Sequence, residues 1–258
     1  MPLPADARIG RVSLTVQSRD RSMSFYQDVL GFTGVEGGLA PPGGRQLIEL
    51  HERRDAVPRP ARRAGLFHFA ILVPSRAALG RSLRRLAEMR WPLTGAADHL
   101  VSEAVYLNDP DGLGIEIYRD RSRDTWRYHN GELTMATDPL DVQAIADEPG
   151  ADAPWIGLDP ATVIGHVHLH VPHLHTAEAF YCGEIGFEAT VPRYPGALFV
   201  AAGGYHHHLG LNTWAGAGAP PPPENAVGLR SFTVESGQLQ PRAVDDVATG
   251  VLVSLVST

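Results

Sequence analysis

The chain has 258 residues, 43% of them hydrophobic, and a formal net charge of −7, enough apolar material for one large core or two ordinary ones and too little for a mainly disordered chain. Lys and Arg are scattered rather than striped, so a nucleic-acid or anionic-membrane footprint is not expected. The single cysteine, Cys182, cannot form an internal disulfide and reads as packing. With no apolar signal-like start and no membrane-length run, a soluble cytoplasmic protein is expected.

In chain order, "IGRVSLTVQSRDRSMSFYQDVLGF" (9–32) predicts a strand by its alternation, then a helix carrying a Phe-Tyr pair, then a Gly-Phe exit. A further strand is expected in "GRQLIELHE" (44–52). "GLFHFAILVPS" (65–75) begins a second unit, followed by an amphipathic helix over "RAALGRSLRRLAEMR" (76–90) and a closing strand in "DPDGLGIEIY" (109–118). Residues 121–162 form a connector with weak helical signals in "DPLDVQAIADE". "IGHVHLHVPHLHTAEAFYCGEIGF" (164–187) then repeats the first stretch without a gap at an offset of 155. After it come "GALFVAAGG" (196–204) and "YHHHLGLNTW" (205–214), read as strands. The Gly/Pro-rich spacer "GAGAPPPPEN" (216–225) leads to "GLRSFTVES" (228–236), which matches the start of the second unit but leaves no room for its helix.

The expected fold is therefore α+β: four βαβββ modules at roughly 8–55, 63–120, 163–215 and 227–258, the last abridged. Along the chain these divide into an N-terminal module pair (1–120), the connector (121–162) and a C-terminal pair (163–258). Eight of the 12 histidines fall between 166 and 208, which points to a site in the third module. If "HHH" lies on a strand, His206 and His208 share one face and His207 the other, and any of the three could carry proton chemistry.

Taken together, "IGHVHLHV", "GGYHHHLGLNTW", "GLFHFAILVPS" and "DHLVSEAVYLNDPDGLGIEIYRD" resemble the vicinal oxygen chelate superfamily (glyoxalase, bleomycin resistance and extradiol dioxygenase proteins), in particular its two-domain, catechol 2,3-dioxygenase-like branch. The resemblance implies modules paired into two open barrels, and an Fe(II) site of two histidines and one glutamate, with Mn(II) equally compatible with such donors. On this chain the matching positions are His68, His166 and Glu116 as metal ligands, His207 as acid–base group, and His99 and Tyr106 beside the substrate oxygens. The implied reaction is extradiol ring cleavage of a catechol with O2. A glyoxalase-like isomerase and a metal-free small-molecule binder remain the competing readings.

Comparing repeats narrows the pairing. Arg11 stands at the His166 position, Ser231 at the His68 position, Leu252 opposite Glu116, and Gln46, Leu47 and Ile48 opposite the three histidines. Only modules two and three together hold a full ligand set, so they are expected to share a barrel, and modules one and four to form a ligand-free one. Tyr106 should share a face with Glu116 by even spacing, provided the "NDPDG" turn keeps the parity. His168, His170, His173 and His175 read as supporting or surface groups. The sequence leaves open the particular catechol, and whether the protein is a homodimer with the site within or between chains.

Overall fold

The computed structural model describes residues 1–191 and 194–258. Two mixed sheets carry the architecture, and their strand orders establish the pairing of modules. The seven-stranded sheet runs Arg242–Asp246, Val251–Val256, Gly228–Glu235, Arg8–Val16, Ile48–Glu52, Gly38–Ala40, Thr33–Val35. It joins modules one and four. The eight-stranded sheet runs Glu188–Tyr194, Ala197–Ala201, Leu209–Asn212, Val163–His170, Gly65–Leu72, Gly114–Asp120, Ser102–Asn108, Leu93–Asp98. It joins modules two and three, as the ligand arithmetic requires.

Each sheet is centred on an antiparallel pair of first strands. Ser13 faces Ser231 in one and His168 faces His68 in the other, with register shifts at corresponding points after Ser13 and His168. The register corrects two sequence equivalences. Val12 pairs with Ile48 where Val167 pairs with Leu209, so Arg45, Gln46 and Leu47, not residues 46–48, occupy the places of His206, His207 and His208. Ser231 pairs with Leu252 where His68 pairs with Gly114, which puts Ser254 rather than Leu252 at the Glu116 position. The turns entering these last strands differ in length, which an ungapped comparison cannot register. Neither shift gives the first barrel a carboxylate at that position.

The helices of modules one and two start from side-chain caps, whereas that of module three, Leu174–Glu178, has none. Ser18 accepts from the Arg21 amide at 3.3 Å, and Ser75 from that of Ala78 at 3.1 Å, opening helices at Arg19 and Arg76. In both long repeats the helix widens into a π-helical turn at the Phe-Tyr pair, Phe25–Val29 and Ala179–Ile185. At this widening each tyrosine reaches the turn before the last strand of the next module: the Tyr26 hydroxyl donates to Asp109 at 3.2 Å and that of Tyr181 to Asp246 at 2.8 Å. Helices thus bind modules in chain order while strands bind them one to four and two to three, and one continuous apolar core spans both sheets.

Module four has no helix among the described residues, as expected. The connector contains a short hairpin (Tyr128–His129 with Glu132–Leu133) and a helix, Val142–Ala146, that packs on Arg76–Glu88. A Cβ on Gly80 would lie 2.5 Å from the Ile145 carbonyl oxygen, so glycine permits this close approach. No helix among the described residues is long and apolar enough to cross a membrane.

Candidate metal centre

The eight-stranded sheet curls around a cavity of about 510 Å³, whose wall includes His68, His99, Tyr106, Glu116, His166, His168 and His207. Its only acidic lining residue among those described is Glu116.

His68 and His166 come from the adjacent first strands of modules two and three, and Glu116 from the strand paired with His68's own. Their ligand atoms all lie within 4.8 Å of one another. Both Nε2 atoms converge on Glu116 Oε2, at 2.9 Å from His68 and 3.1 Å from His166. Donor atoms about 2.1 Å from a small divalent cation and at right angles to each other are about 3.0 Å apart, so the cluster has the spacing of neighbouring coordination positions. His68 Nε2 is buried without a well-directed hydrogen bond, although it lies beside the carboxylate. A lone pair aimed at a centre shared with the carboxylate fits this arrangement.

The protonation states suit a cation. Burial, only partly opposed by Glu116, lowers His166 to about 4, so its imidazole is neutral near neutral pH. Burial alone would raise Glu116, and the two imidazoles more than reverse this, holding the carboxyl well below its usual range. A buried carboxylate is a negative charge that a divalent ion would compensate.

His207 sits against this cluster, its ring centroid 4.2 Å from that of His166. Burial is the main reason its pKa falls well below the ordinary value. The "HHH" run is not a strand. Gly203 and Gly204 adopt positive φ (61° and 66°), and the strand begins only at Leu209. The expected alternation of faces therefore fails: His206 and His207 turn toward each other, with their Nδ1 atoms 2.7 Å apart. His206 Nε2 donates to Asp120 Oδ1 at 2.8 Å, so in the neutral ring its Nδ1 accepts from His207 Nδ1. The lone pair of His207 is then on Nε2. His208 instead accepts the Ala202 amide at 3.2 Å, and burial lowers it to about 3. Tyr205 donates to Asp120 Oδ2 at 2.9 Å, and Tyr118 lies 2.7 Å from Tyr205.

On the opposite wall Tyr106 faces Glu116 directly across the antiparallel pair Ser102–Asn108 and Gly114–Asp120, so the parity expected from spacing holds. Burial first, and the Glu116 charge next, raise its hydroxyl well above 10. His99 donates from Nδ1 to the Ala136 carbonyl at 2.7 Å and accepts the Tyr106 hydroxyl at Nε2, 2.6 Å away. Ala136 belongs to the connector, which closes this side of the cavity with Met135 and Thr137.

Two groups escaped the sequence reading. His168, expected to be peripheral, is 4% exposed and lines the cavity. Its Nε2 accepts from Asn212 Nδ2 at 3.0 Å, which leaves Nδ1–H as donor in the neutral ring. A Cβ on Gly210 would lie 2.8 Å from three of its ring atoms, so the glycine makes room for it. The period-two spacing from His166 was its available signal. Asp120 carried none, since its partners lie 85 and 86 residues away. His173 and His175 are exposed, as expected, and Cys182 packs partly buried against the core, where burial raises its thiol to about 11.

Fold and donor set together define a class: βαβββ modules paired around a two-histidine, one-carboxylate cluster. Residues 8–117 match the Glyoxalase/Bleomycin resistance protein/Dioxygenase superfamily. The chain is 48% identical over 238 residues to a catechol-2,3-dioxygenase of Bacillus subtilis (strain 168), covering 89% of this chain and 82% of that one. The chain belongs to this superfamily. Its fold is also similar to that of a Bacillus subtilis crystal structure described as a dioxygenase (TM-score 0.62, 12% identity, 96% of this chain and 84% of that one). Maize (Zea mays) glyoxalase I is a further neighbour in fold (TM-score 0.54, 14% identity, 98% and 92%).

Proposed function

We propose that the protein is an extradiol dioxygenase that opens a catechol ring beside its two hydroxyls, with Fe(II) held by His68, His166 and Glu116 and O2 as co-substrate. The observation that carries this reading is the convergence of those three side chains, with His207, His99 and Tyr106, on one largely apolar cavity. The similarity to a catechol-2,3-dioxygenase supports it. The absence of a second carboxylate from the described cavity wall argues against a glyoxalase-like isomerase needing a carboxylate base.

Bound Fe(II), or Mn(II) in its place, supplies the electron-transfer chemistry that couples an electron-rich diol to O2. The chain's own residues do the rest. The apolar and aromatic side chains of the cavity wall, Phe67, Ile115 and Phe199 among them, suit a flat ring. Tyr106 stays protonated and donates its hydrogen bond to His99 Nε2, leaving the lone pairs of its oxygen to accept from a substrate hydroxyl. His207, with Nε2 as free lone pair, takes the second hydroxyl's proton and returns it when the O–O bond breaks. His168 offers Nδ1–H to an oxygen on the opposite side.

The test is oxygen uptake on adding catechol to protein purified anaerobically and loaded with Fe(II), following absorbance of a yellow ring-fission product. Uptake is expected in the native protein and not in His166→Ala or Glu116→Ala, which should also lose stoichiometric iron. Full iron binding without uptake across a panel of catechols would overturn the reading.

A further inference from the structure

Beside the metal-centre cavity lies a second pocket of about 340 Å³, lined by Arg59, Arg62, Arg63, His170 and Trp214 and, among the described residues, by no carboxylate. The arginines just upstream are paired, Arg53 with Asp55 and Arg54 with Glu52. Those of the pocket have no acidic partner among the described residues. Arg59 donates to the Arg63 carbonyl and Arg63 to the Pro221 carbonyl, both at a long 3.4 Å. Burial pushes the Arg59 guanidinium below its ordinary range, with no acidic neighbour opposing the shift. A half-buried cation without a counter-charge is costly to keep.

The loop that bears these cations is braced. Val57 donates to the Asn225 carbonyl and Ala64 to that of Pro220, each at 2.9 Å, so both ends are tied to the proline-rich spacer. Arg62 takes a left-handed conformation (φ 60°), which a glycine would adopt without strain. Strain and desolvation are accepted together at one point, where the chain turns its arginines onto one wall.

This wall adjoins the metal-centre cavity. Trp214 lines both pockets, and Phe67, which lines the cavity, has its ring centroid 4.8 Å from that of His170 and 5.6 Å from that of Trp214. His166 and His170 lie on the same strand four residues apart, a span of about 13 Å at roughly 3.3 Å per residue. A chelated aromatic ring with a short aliphatic chain covers that order of distance. Among the described residues no Lys or Arg lines the cavity itself, whereas the second pocket presents three arginines to an anionic substituent.

We propose that the arginine pocket is a carboxylate subsite, and that the protein's substrate is a catechol whose side chain passes Phe67 and Trp214 to end on Arg59 and Arg63. The proposal rests on the extradiol reading above. Guanidinium forks match a carboxylate in plane and charge, and a charge-assisted hydrogen bond of this kind corresponds to roughly a 10- to 100-fold gain in affinity.

The experiment is anaerobic calorimetry on metal-loaded protein with 3-(3,4-dihydroxyphenyl)propanoate and its isosteric amide. The carboxylate is expected to bind at least about 10-fold tighter, less so at high salt. In Arg59→Gln/Arg63→Gln the ratio should approach one, and in Arg59→Glu an amine-terminated analogue should be preferred. Equal affinities in the native protein overturn the proposal without recourse to any variant, as does an advantage that survives in the double variant. If acetate or phosphate binds alone while the tethered carboxylate gains nothing over the amide, the pocket is a free-anion site and the proposal fails. Oxygen uptake with unsubstituted catechol is measured separately: its absence sinks the extradiol reading, whatever the arginines do.

Discussion

Replacing Asp120 by asparagine tests whether the base is set by the hydrogen-bond chain behind it. The carboxylate accepts from His206 Nε2 at 2.8 Å and from Tyr205 at 2.9 Å, and its side chain is 27% exposed. Asparagine keeps the shape but removes the charge, and its Nδ2 can donate to His206 Nε2. His206 would then carry its proton on Nδ1 and present it to His207, forcing His207 to hold a proton on Nε2, the atom needed as base. Two charge-assisted bonds also become neutral ones, at about 1 kcal/mol each before solvent screening. Loss of the correct tautomer removes most of the general-base contribution, so kcat should fall roughly 10²-fold, about 2.7 kcal/mol in the barrier. KM and iron content should change little, because Asp120 is outside the donor set. Steady-state oxygen uptake with a parallel iron assay measures both. Adding His207→Ala to the variant should cost little more than His207→Ala alone, since the two act as a unit. A folded, iron-replete Asp120→Asn protein with native kcat would refute the relay.

Gly210→Ala should displace His168, since the new Cβ would lie 2.8 Å from its ring. Overpacking of this kind costs about 1–3 kcal/mol, visible as a Tm lowered by several degrees and a raised KM for catechol; unchanged values would contradict the cradle. Glu116→Gln should weaken Fe(II) binding more than about 10²-fold in an anaerobic titration, because the neutral amide supplies no charge to the ion. For pH dependence, burial lowers His208 from 6.5 to about 3. The folded state then binds fewer protons than the unfolded chain between those values, so the stability His208 confers is complete above 6.5 and declines as pH falls toward 3. From pH 7 to 5 the metal-free protein should lose about 2 kcal/mol through this residue, and urea unfolding of His208→Gln should show a correspondingly flatter profile.

The barrel pairing was legible in the sequence because ligand types are unevenly shared among repeats. Arg11 and Ser231 exclude two modules, and the observed sheets agree. The first strands align without gaps, so their equivalences survive in the register. Position by position, the comparison broke down where turn lengths differ: Arg45 to Leu47 and Ser254 lie one and two places from the residues first matched. Periodicity also misread "YHHH", because two left-handed glycines take that run off the strand and bury all three imidazoles. Ala136 and Asp120 could not be found at all. Their roles come from contacts 37 and 86 residues away in sequence, made by a connector and a strand end that carry no pattern of their own.

The most direct test of the central claim is the identity of the product formed from catechol and 18O2 by the Fe(II)-loaded protein, read by mass spectrometry and NMR. The account predicts both labelled atoms in one ring-opened aldehyde acid, cleaved at the bond beside the two hydroxylated carbons. A product cleaved between those carbons, a single labelled atom with no exchange into solvent, or recovery of intact catechol would contradict it.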